Sequence, residues 1–575
     1  MRLSLPDQNI LDWDEEFDFV TIGSGGGAIV ASLVLQDAGF KPLIVEKQEK
    51  VGGSTGYSGG AIWIPNCSVL KRSGVDDSYE RARTYLDAAT PYQGPGSTPE
   101  RRKAYLESGP EMVDYLESKG MKFKHADGWS DYYDELPGGE PRGRSLLAEL
   151  FNANELGEWK QHLSVYPGMT IPFGPDDLTK MQLAKATWKG KIDAALIAGR
   201  YLLQRILGRD PRGAGGALQG RMLQIALREG ISIYRNCPVD ELVSADGSVV
   251  GVKVRLEGEV KRIRSRRGVL VNAGGFARND AMRKKYGRAP SSTKWTLSNP
   301  GDTGEVLERA IELGAATDCM DTAIWAAVSL GPSESYPKGA FTKDGRPLPF
   351  MHHFDMSLPH CIVVDQDGAR FCNEAASYME VGEVQYEHQA KTGKAIPAWF
   401  VMDGRHRRKY FWGPVPGPSP GSWFESGYMK KAKTLDDLAD QIDVNRNALR
   451  ETVSRFNQFC EDGEDRDFGR GANEFNKYHG DPSVKPNPNL GPIEKGPFYA
   501  VAMYPGDVGT FGGLVTDVDA RVLREDGSVI DGLYATGNST ASVMGRTYIG
   551  GGTSIGASFI FGYRAAIHST RKAKN

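Results

Sequence analysis

The chain has 575 residues, room for several average domains or for two large α/β domains. With 70 Lys and Arg against 73 Asp and Glu, its near-neutral charge excludes a strongly basic nucleic-acid-binding protein, and an apolar share of 40% excludes a disordered one. Glycine is in excess, at 70 residues or about 12% of the chain against a usual share of about 7%, and it is clustered.

The start of the chain, Met1–Gln8, runs into an acidic stretch and contains no apolar run typical of a signal peptide. The uncharged stretch between Arg546 and Arg564 is rich in Gly and Ser, so we do not interpret it as a membrane span. The six cysteines lie far apart without a C-x-x-C pair, which favours buried free thiols in a reducing compartment. These features predict a cytoplasmic protein without a spanning helix.

The first elements in chain order are a predicted strand, a helix and a second strand. Phe17–Ile22 is rich in β-branched and aromatic residues, Ile29–Asp37 is helix-like, and Pro42–Glu46 is again strand-like. The turn Gly23–Ala28 between the first strand and the helix reads G-x-G-x-x-A. This βαβ pattern is typical of a dinucleotide-binding loop.

Each residue of the turn has a physical role in binding a pyrophosphate. Gly23 permits the tight turn, Gly25 lets the backbone approach the phosphates, and Ala28 lets the helix pack closely. The helix start, where Gly26 lies, supplies free N–H groups and a positive dipole end. Glu46 lies 23 residues after the first glycine, at a strand end where a carboxylate accepts ribose hydroxyls. We predict a dinucleotide site; a glycine-rich turn between packed elements is the alternative.

A second cluster of glycine and hydroxyl residues, 51–60, follows the ribose-binding strand. Backbone of this kind can wrap the ribityl pyrophosphate of a long cofactor, which favours FAD over NAD. Two later strand ends, 268–275 and 532–538, also finish in small residues, as needed where backbone passes a cofactor. The expected contacts from these segments are Gly53, Ser54, Thr55, Ser58, Gly59, Gly60, Ala273, Gly274, Gly537 and Asn538.

The middle of the chain contains one strongly basic segment. Residues 180–212 hold eight basic and two acidic side chains, with apolar residues at helical spacing. Such a helix can lie on an anionic membrane as a peripheral contact, or it can pack on the cofactor domain with a solvated basic face; the sequence leaves both interpretations open.

Loops are marked by Pro and Gly at 413–421 and at 486–497, the second being a return linker into the cofactor domain. Between these loops, Thr434 followed by Asp437 predicts a helix N-cap, and two amphipathic helices are expected before Gly463.

Together the glycine motifs resemble the FAD-dependent fumarate reductase and 3-ketosteroid dehydrogenase superfamily, from about Phe17 to about His568. The motifs that carry the resemblance are the Gly23 turn, Gly52-Gly53, Ala273–Gly275, Thr510–Gly513 and Gly532–Asn538. The resemblance implies an α/β fold, in which a Rossmann-like FAD-binding domain is split in sequence around an inserted α+β catalytic domain. The implied boundaries are 1–300 for the first part of the FAD domain, including the basic segment, 301–497 for the catalytic domain, and 498–575 for the last part.

The aromatic residues indicate which reaction to expect. Tyr548 precedes Gly552 by four residues, ahead of a helix-like run at 554–565. A phenol and a backbone N–H at a helix start are two donors for a carbonyl oxygen that gains charge. The same helix start, with Ser554 and Ile555 as expected cofactor contacts, would stabilise negative charge on a reduced flavin.

This combination resembles the 3-ketosteroid 1-dehydrogenases, which introduce a C1–C2 double bond into a 3-ketosteroid. The resemblance implies that Tyr548 and the Gly552 N–H hold the C3 carbonyl. It implies that Tyr378 takes the C2 proton, that Tyr132 assists it, and that hydride passes from C1 to flavin N5. The adjacent Tyr133 leaves the assignment of Tyr132 open by one position.

One residue departs from the family pattern, since Ile549 stands where the family often has proline. Three alternatives stay open: a 5α-3-ketosteroid 4-dehydrogenase, a fumarate-reductase-like enzyme acting on small carboxylates, and a non-catalytic flavin electron carrier. A fumarate-reductase-like enzyme would need a basic pocket for its carboxylate substrate. The candidate histidines, His352, His353 and His360, have no arginine cluster beside them in the sequence. We interpret these histidines as structural and expect no metal site. The expected partners are a steroid or triterpenoid 3-ketone and an unidentified electron acceptor, with no nucleic acid.

Overall fold

The structure is a computed structural model that describes residues 12–166, 174–332, 349–413, 415 and 417–571. The segment Met1–Gln8, with its predicted lack of a signal peptide, lies outside the described residues. So do Pro414 and Pro416 of the loop at 413–421. No helix in the described part of the chain combines the length and apolar character needed to cross a bilayer.

A six-stranded sheet built from both ends of the chain carries the glycine-rich turn. The strands lie side by side in the order Arg521–Leu523, Val529–Ala535, Val269–Val271, Phe19–Ile22, Pro42–Val45 and Ser232–Tyr234. The first two pair antiparallel and all other neighbours pair parallel. A parallel sheet must be covered on both faces, which is why its strands are short apolar runs. The predicted α/β fold with a nucleotide-binding sheet split in sequence is confirmed.

One face of this sheet is covered by two helices, Gly26–Asp37 and Thr553–Arg571. The helices approach closely because glycines lie where they meet: a Cβ added at Gly562 would lie 2.3 Å from the carbonyl oxygen of Gly27. The C-terminal helix is therefore packed directly against the helix that begins at the glycine-rich turn.

A small mixed sheet, with one parallel and two antiparallel pairs, covers the opposite face. Its strands are, in order, Glu15–Phe17, Glu259–Ser265, Ser248–Leu256 and Val239–Ala245. Alternate residues of the central strands, such as Val252 and Val254, are buried with Val20 and Leu43 of the parallel sheet.

A second large sheet is formed mainly by the middle of the chain. Its strands lie in the order Phe350–Met351, Ala323–Ser329, Phe498–Thr510, Ala398–Met402 and Cys361–Val364, with Met429–Ala432 also paired to the central strand. All pairs are antiparallel. Phe400 and Val401 point into separate cores on its two faces. The strand that begins at Phe498 thus lies within this sheet, although the predicted boundary assigns it to the FAD domain. The domain boundaries stay a prediction.

The remaining elements are three minor sheets and the helices outside the two large sheets. The minor sheets consist of Ala61–Trp63, Phe123–His125 and Ser145–Ala148; of Phe151–Asn152 with Pro211–Arg212; and of Thr317–Asp318 with Gly513–Leu514. The other helices and 3-10 turns described are Gly53–Tyr57, Ser68–Arg72, Tyr79–Ala89, Pro99–Ser118, Ala153–His162, Pro175–Gln182, Trp188–Ile206, Ala214–Arg228, Asp280–Tyr286, Thr293–Trp295, Glu305–Glu312, His353–Met356, Tyr378–Thr392, Gly404–Lys409, Gly421–Glu425, Leu435–Gln441, Arg446–Asp462, Glu474–Tyr478 and Gly537–Ser539.

Candidate active site

A cavity of about 1060 Å³ connects the glycine-rich turn with the tyrosines singled out in the sequence. Most of the predicted cofactor contacts line it: Gly23, Gly25, Glu46, Gly53, Ser54, Thr55, Ser58, Gly59, Ala273, Gly274, Gly537, Asn538, Ser554 and Ile555. The other three, Gly26, Ala28 and Gly60, are not among the lining residues. All four predicted catalytic residues, Tyr132, Tyr378, Tyr548 and Gly552, line the same cavity.

The glycine-rich turn is pressed against the neighbouring strand end. Gly23 has a φ of +92°, and a Cβ there would lie 2.3 Å from the carbonyl oxygen of Asn272, so only glycine fits. The Asn272 side chain in turn accepts a hydrogen bond from the amide of Ala28 at 3.2 Å. Asn272 was not predicted, although it lies inside the strand-end segment that the sequence marked.

The carboxylate of Glu46 is held at the end of the second strand. It accepts hydrogen bonds from the amide and the hydroxyl of Ser24, at 3.0 and 2.5 Å, and from the amide of Gln48 at 2.9 Å. Burial raises the pKa of Glu46, while these hydrogen bonds oppose the shift. An acceptor fixed in this way at the cavity wall fits the ribose hydroxyls of an adenosine.

The second glycine and hydroxyl cluster forms the short helix Gly53–Tyr57. The hydroxyl of Thr55 accepts from the amide of Gly26 at 3.2 Å, so this helix is joined to the glycine-rich turn. The hydroxyl of Ser54 donates to Asp302 at 2.8 Å. Burial raises the pKa of Asp302 to about 7. Asp302 also lines the cavity and was missed; its only signal in the sequence was the turn-like run 299–301 before it.

The three tyrosines meet at one end of the cavity. The hydroxyl of Tyr132 donates a hydrogen bond to the hydroxyl of Tyr378 at 3.3 Å. The ring centroid of Tyr548 lies 5.9 Å from that of Tyr132 and 5.6 Å from that of Tyr378. The hydroxyls of Tyr548 and Ser554 share a hydrogen bond at 3.3 Å. Three tyrosines from distant parts of the chain thus form one cluster.

Local structure holds these side chains in place. Tyr378 is the first residue of the helix at 378–392, which Ser377 caps. The amide of Tyr132 donates to the carbonyl of Ile549 at 3.1 Å, which joins the loops of two of the tyrosines. The neighbouring Tyr133 is not among the lining residues, so the structure places Tyr132 rather than Tyr133 in the cluster.

Burial controls the protonation of the cluster. It raises the pKa of both Tyr132 and Tyr378 well above 10, because an anionic phenolate would lose its hydration in this site. Both residues are therefore neutral phenols near pH 7. Ionising either one needs a compensating interaction from a bound molecule or a neighbour.

Gly552 presents a backbone donor beside the tyrosines. The helix Thr553–Arg571 begins at the next residue, so this amide belongs to the positive end of the helix dipole. In the part of the chain that the structure describes, no protein acceptor is hydrogen-bonded to the Gly552 N–H. The amide is therefore available to a ligand oxygen.

A buried ionic cluster supports the Tyr132 loop. Asp131 accepts from the indole N–H of Trp63 at 2.7 Å and pairs with Arg144, which also pairs with Asp77 at 2.8 Å. Burial still raises the pKa of Asp131 to about 6. No pattern in the sequence indicated that Asp131 and Arg144 position Tyr132, because their contacts join parts of the chain that are far apart in sequence.

Much of the remaining cavity wall is apolar. Its large apolar and aromatic residues include Tyr57, Trp129, Leu178, Met181, Leu297, Ile324, Phe350, Met351, Phe354, Phe411, Val415 and Val508. The arginines among the lining residues are Arg255 and Arg309, and they pair with Asp240 and Glu312 at exposed positions. The wall around the tyrosines thus suits a flat apolar molecule and offers no arginine clamp for a dicarboxylate among the described residues.

The three histidines differ in their surroundings. His352 is bonded to Asp355 at 2.7 Å and to Ser329 at 2.6 Å, and His360 to the carbonyl of Pro492 at 2.9 Å, so both have structural partners. His353 instead lines the cavity, with its ring centroid 5.2 Å from that of Tyr378. Burial lowers the pKa of His353 well below 6.5, so this imidazole is neutral. The sequence interpretation missed its place in the cavity.

Comparison with known proteins identifies the family. The FAD binding domain family matches residues 18–555. The 3-oxosteroid 1-dehydrogenase of Mycobacterium tuberculosis is 41% identical, covering 97% of this chain and 99% of its own length. That of Mycolicibacterium smegmatis is 40% identical, covering 96% of this chain and 97% of its own length.

A solved structure agrees with these relatives. The 3-ketosteroid delta1-dehydrogenase from Sterolibacterium denitrificans, in complex with 1,4-androstadiene-3,17-dione, superimposes with a TM-score of 0.89 at 37% identity. The match covers 97% of this chain and 99% of that chain. The glycine cradle, the Glu46 carboxylate and the helix start therefore fit FAD in both fold and chemistry.

Proposed function

The chain belongs to the FAD-binding flavoprotein family of the 3-oxosteroid 1-dehydrogenases, and we propose that it catalyses the 1,2-dehydrogenation of 3-ketosteroids. The observation that carries this proposal is one cavity with a dinucleotide cradle at one end and three tyrosines in an apolar wall at the other. When bound, FAD accepts the hydride that leaves C1 of the steroid.

The C3 carbonyl of the steroid would be bound by two donors, the hydroxyl of Tyr548 and the N–H of Gly552. Both groups lie at the cavity wall, and the amide belongs to a helix start. Negative charge develops on this oxygen as the ketone enolises, so the donors stabilise the transition state more than the ground state. Their effect is to make the C2 proton acidic enough to remove.

Tyr378 would accept the C2 proton. The base would be the phenolate of Tyr378, which is a minor fraction near neutrality because burial raises its pKa, and the C2 proton would pass to it once Tyr548 and Gly552 stabilise the enolate oxygen. The hydroxyl of Tyr132, hydrogen-bonded to that of Tyr378 at 3.3 Å, would assist by holding the Tyr378 oxygen in place. The apolar wall excludes water, which strengthens each of these electrostatic interactions.

The residues that would hold FAD follow from the same geometry. Glu46 would accept the ribose hydroxyls, and the turn at Gly23 and Gly25 would approach the pyrophosphate. The hydroxyl-rich helix Gly53–Tyr57 and the strand end at Gly274 would border the remainder of the cofactor.

The alternatives fit the wall less well. A dicarboxylate would need cationic partners, yet the residues around the tyrosines are aromatic and aliphatic, and His353 is neutral. A large apolar cavity beside the flavin is typical of a site that binds an organic substrate, which a flavin electron carrier does not need. A 5α-3-ketosteroid 4-dehydrogenase would also bind a C3 ketone, and it differs in the bond that is oxidised.

The test is anaerobic mixing of the purified holoenzyme with androst-4-ene-3,17-dione. We expect the flavin absorbance to bleach and the product to carry a new C1–C2 double bond. A 5α-saturated 3-ketone run in parallel identifies a 4,5-desaturase by the position of the new bond. Bleaching by neither steroid would exclude both activities.

Peripheral membrane contact through 180–212 is a second part of the proposal. The helix Trp188–Ile206 presents apolar side chains to solvent, with Trp188 79% and Leu196 66% exposed. Exposed apolar area of this kind, flanked by lysine and arginine, is typical of an interfacial helix. All six cysteines are free and buried, which supports a reducing, cytoplasmic location for this contact.

A further inference from the structure

We infer that the steroid enters the cavity from the lipid side of the protein, along a pair of helices that would lie on the membrane and also form part of the cavity wall. The pair consists of Pro175–Gln182 and Trp188–Ile206, and we call it the lipid-side hairpin. This inference rests on the proposed steroid dehydrogenation, since it concerns the route of that substrate.

The outer helix of the hairpin has its apolar face turned outward. Side chains four residues apart, beginning with Trp188, Ile192 and Leu196, share one face at about 100° per residue, and Ile206 returns to it. Ile206 is 73% exposed. The residues of the helix that are buried, Gly190 and Ile197, lie on the opposite side. The helix thus packs through a narrow strip and leaves its apolar face without cover from the described residues.

Basic side chains flank the apolar face. Lys189 and Lys191 lie near its start and Arg205 near its end, all exposed. The segment 180–212 carries eight basic and two acidic residues. A basic border around an apolar stripe complements anionic headgroups above acyl chains, so an anionic bilayer is the occupant that charge favours.

The inner helix is part of the cavity wall. Pro175, Leu178, Met181 and Gln182 all line the cavity that contains the tyrosines. Leu178 and Met181 are only partly buried. One helix therefore separates the tyrosine end of the cavity from the helix that would lie on lipid.

The two helices are joined firmly. The guanidinium of Arg200 on the outer helix pairs with Asp177 on the inner helix. Gly190 packs where a Cβ would lie 2.2 Å from the carbonyl oxygen of Leu183. Because the hairpin is one packed unit, placing the outer helix on a bilayer also places the apolar side of the cavity next to the acyl chains.

A 3-ketosteroid dissolves mainly in the bilayer, so entry from that side avoids transferring the apolar rings through water. The test uses the holoenzyme with vesicles of phosphatidylglycerol and phosphatidylcholine loaded with cholest-4-en-3-one, whose aqueous concentration is very low. The double variant Leu196→Glu/Ile206→Glu places two charges on the apolar face. The matched control is Val260→Glu, at a 56% exposed position on the small mixed sheet.

We expect the double variant to lose co-sedimentation with the vesicles and to oxidise the vesicle-loaded steroid about tenfold more slowly or worse. Its rate with dissolved androst-4-ene-3,17-dione in lipid-free buffer should stay within about twofold of the parent enzyme, as should every rate of the control. The lipid-free assay also tests the proposed function: no turnover there by any variant would refute steroid dehydrogenation itself.

Three results would overturn the inference while leaving the dehydrogenase intact. The first is loss of vesicle binding with an unchanged rate on the vesicle-loaded steroid. The second is parent enzyme that does not bind the vesicles at all. The third is a dimer in lipid-free gel filtration that the double variant abolishes, which would assign the apolar face to a second copy of the chain.

Discussion

The hydroxyl of Tyr132 donates a hydrogen bond to the hydroxyl of Tyr378 at 3.3 Å, and both phenols are buried with raised pKa values. Burial disfavours the Tyr378 anion, and the neighbouring phenols of Tyr132 and Tyr548 raise its pKa further. Tyr378 can therefore act as a base only through its minor phenolate form, and only when the donors to the C3 oxygen make the C2 proton acidic enough to transfer.

Removing the hydroxyl of Tyr548 or of Tyr378 should nearly abolish turnover, because each would contact the reacting part of the steroid. We expect Tyr548→Phe to lower kcat by about 100- to 1000-fold, because one of two donors to the C3 oxygen is lost. Tyr378→Phe should lower it at least as far, since the proposed base is removed. Steady-state kinetics measure the effect, and the flavin spectrum shows whether FAD stays bound.

The control for these variants is Tyr133→Phe, next to Tyr132 but away from the cavity lining. It should keep nearly the parent rate. A strong loss in Tyr133→Phe, or parent activity in Tyr548→Phe, would contradict the assignment of the three tyrosines.

The pH dependence follows from the raised pKa of Tyr378. Burial favours the neutral phenol, so the ionised fraction is small near neutrality and grows about tenfold for each pH unit until the pH approaches a value above 10. We therefore expect kcat/KM to rise steadily between pH 7 and 9 without a plateau. A bell-shaped profile centred near neutrality would point to a different base, such as a histidine.

Local patterns in the sequence predicted the nucleotide-binding elements well. Short runs rich in β-branched, aromatic and aliphatic residues identified the strands Phe19–Ile22 and Pro42–Val45. A hydroxyl three residues before an acid identified the helix cap at Thr434, which accepts from the Asp437 amide. Gly463 adopts the left-handed conformation at the end of the following helix, as expected. These features depend on neighbours within a few residues, so one sequence suffices.

Long-range contacts could not be predicted in the same way. Phe475 packs 4.5 Å from Tyr132, centroid to centroid, although they are far apart in the chain. Asp302 is bonded to Ser54 and Asn272 to Ala28 across similar separations. Nor could helical periodicity show that the apolar face of Trp188–Ile206 points outward, since the same pattern is typical of a helix packed on a core.

The carboxylate of Glu46 should be essential for FAD affinity. Glu46→Gln removes the charge that would bind two ribose hydroxyls, and hydrogen bonds to a charged group contribute about 1.5–3 kcal/mol. We expect FAD to bind about 10- to 100-fold more weakly, measured by titrating the apoprotein and following flavin fluorescence. The neighbouring, exposed Glu49→Gln is the control and should bind FAD like the parent protein. Equal affinity in both variants would remove Glu46 from the cofactor site.

Gly552 combines a left-handed backbone conformation with the proposed role of its N–H in binding the C3 oxygen. Its φ is +91°, and a Cβ there would lie 2.2 Å from the carbonyl of Ala61, so Gly552→Ala must displace backbone that lines the cavity. Gly527 has a similar φ of +80° but open space around it, so Gly527→Ala carries only backbone strain of about 1 kcal/mol. We expect both variants to lower Tm, and only Gly552→Ala to lower kcat, by about 100-fold or more. Equal kcat in the two variants would mean that the Gly552 N–H does not bind the reacting oxygen, and Tyr548 would then be the single donor.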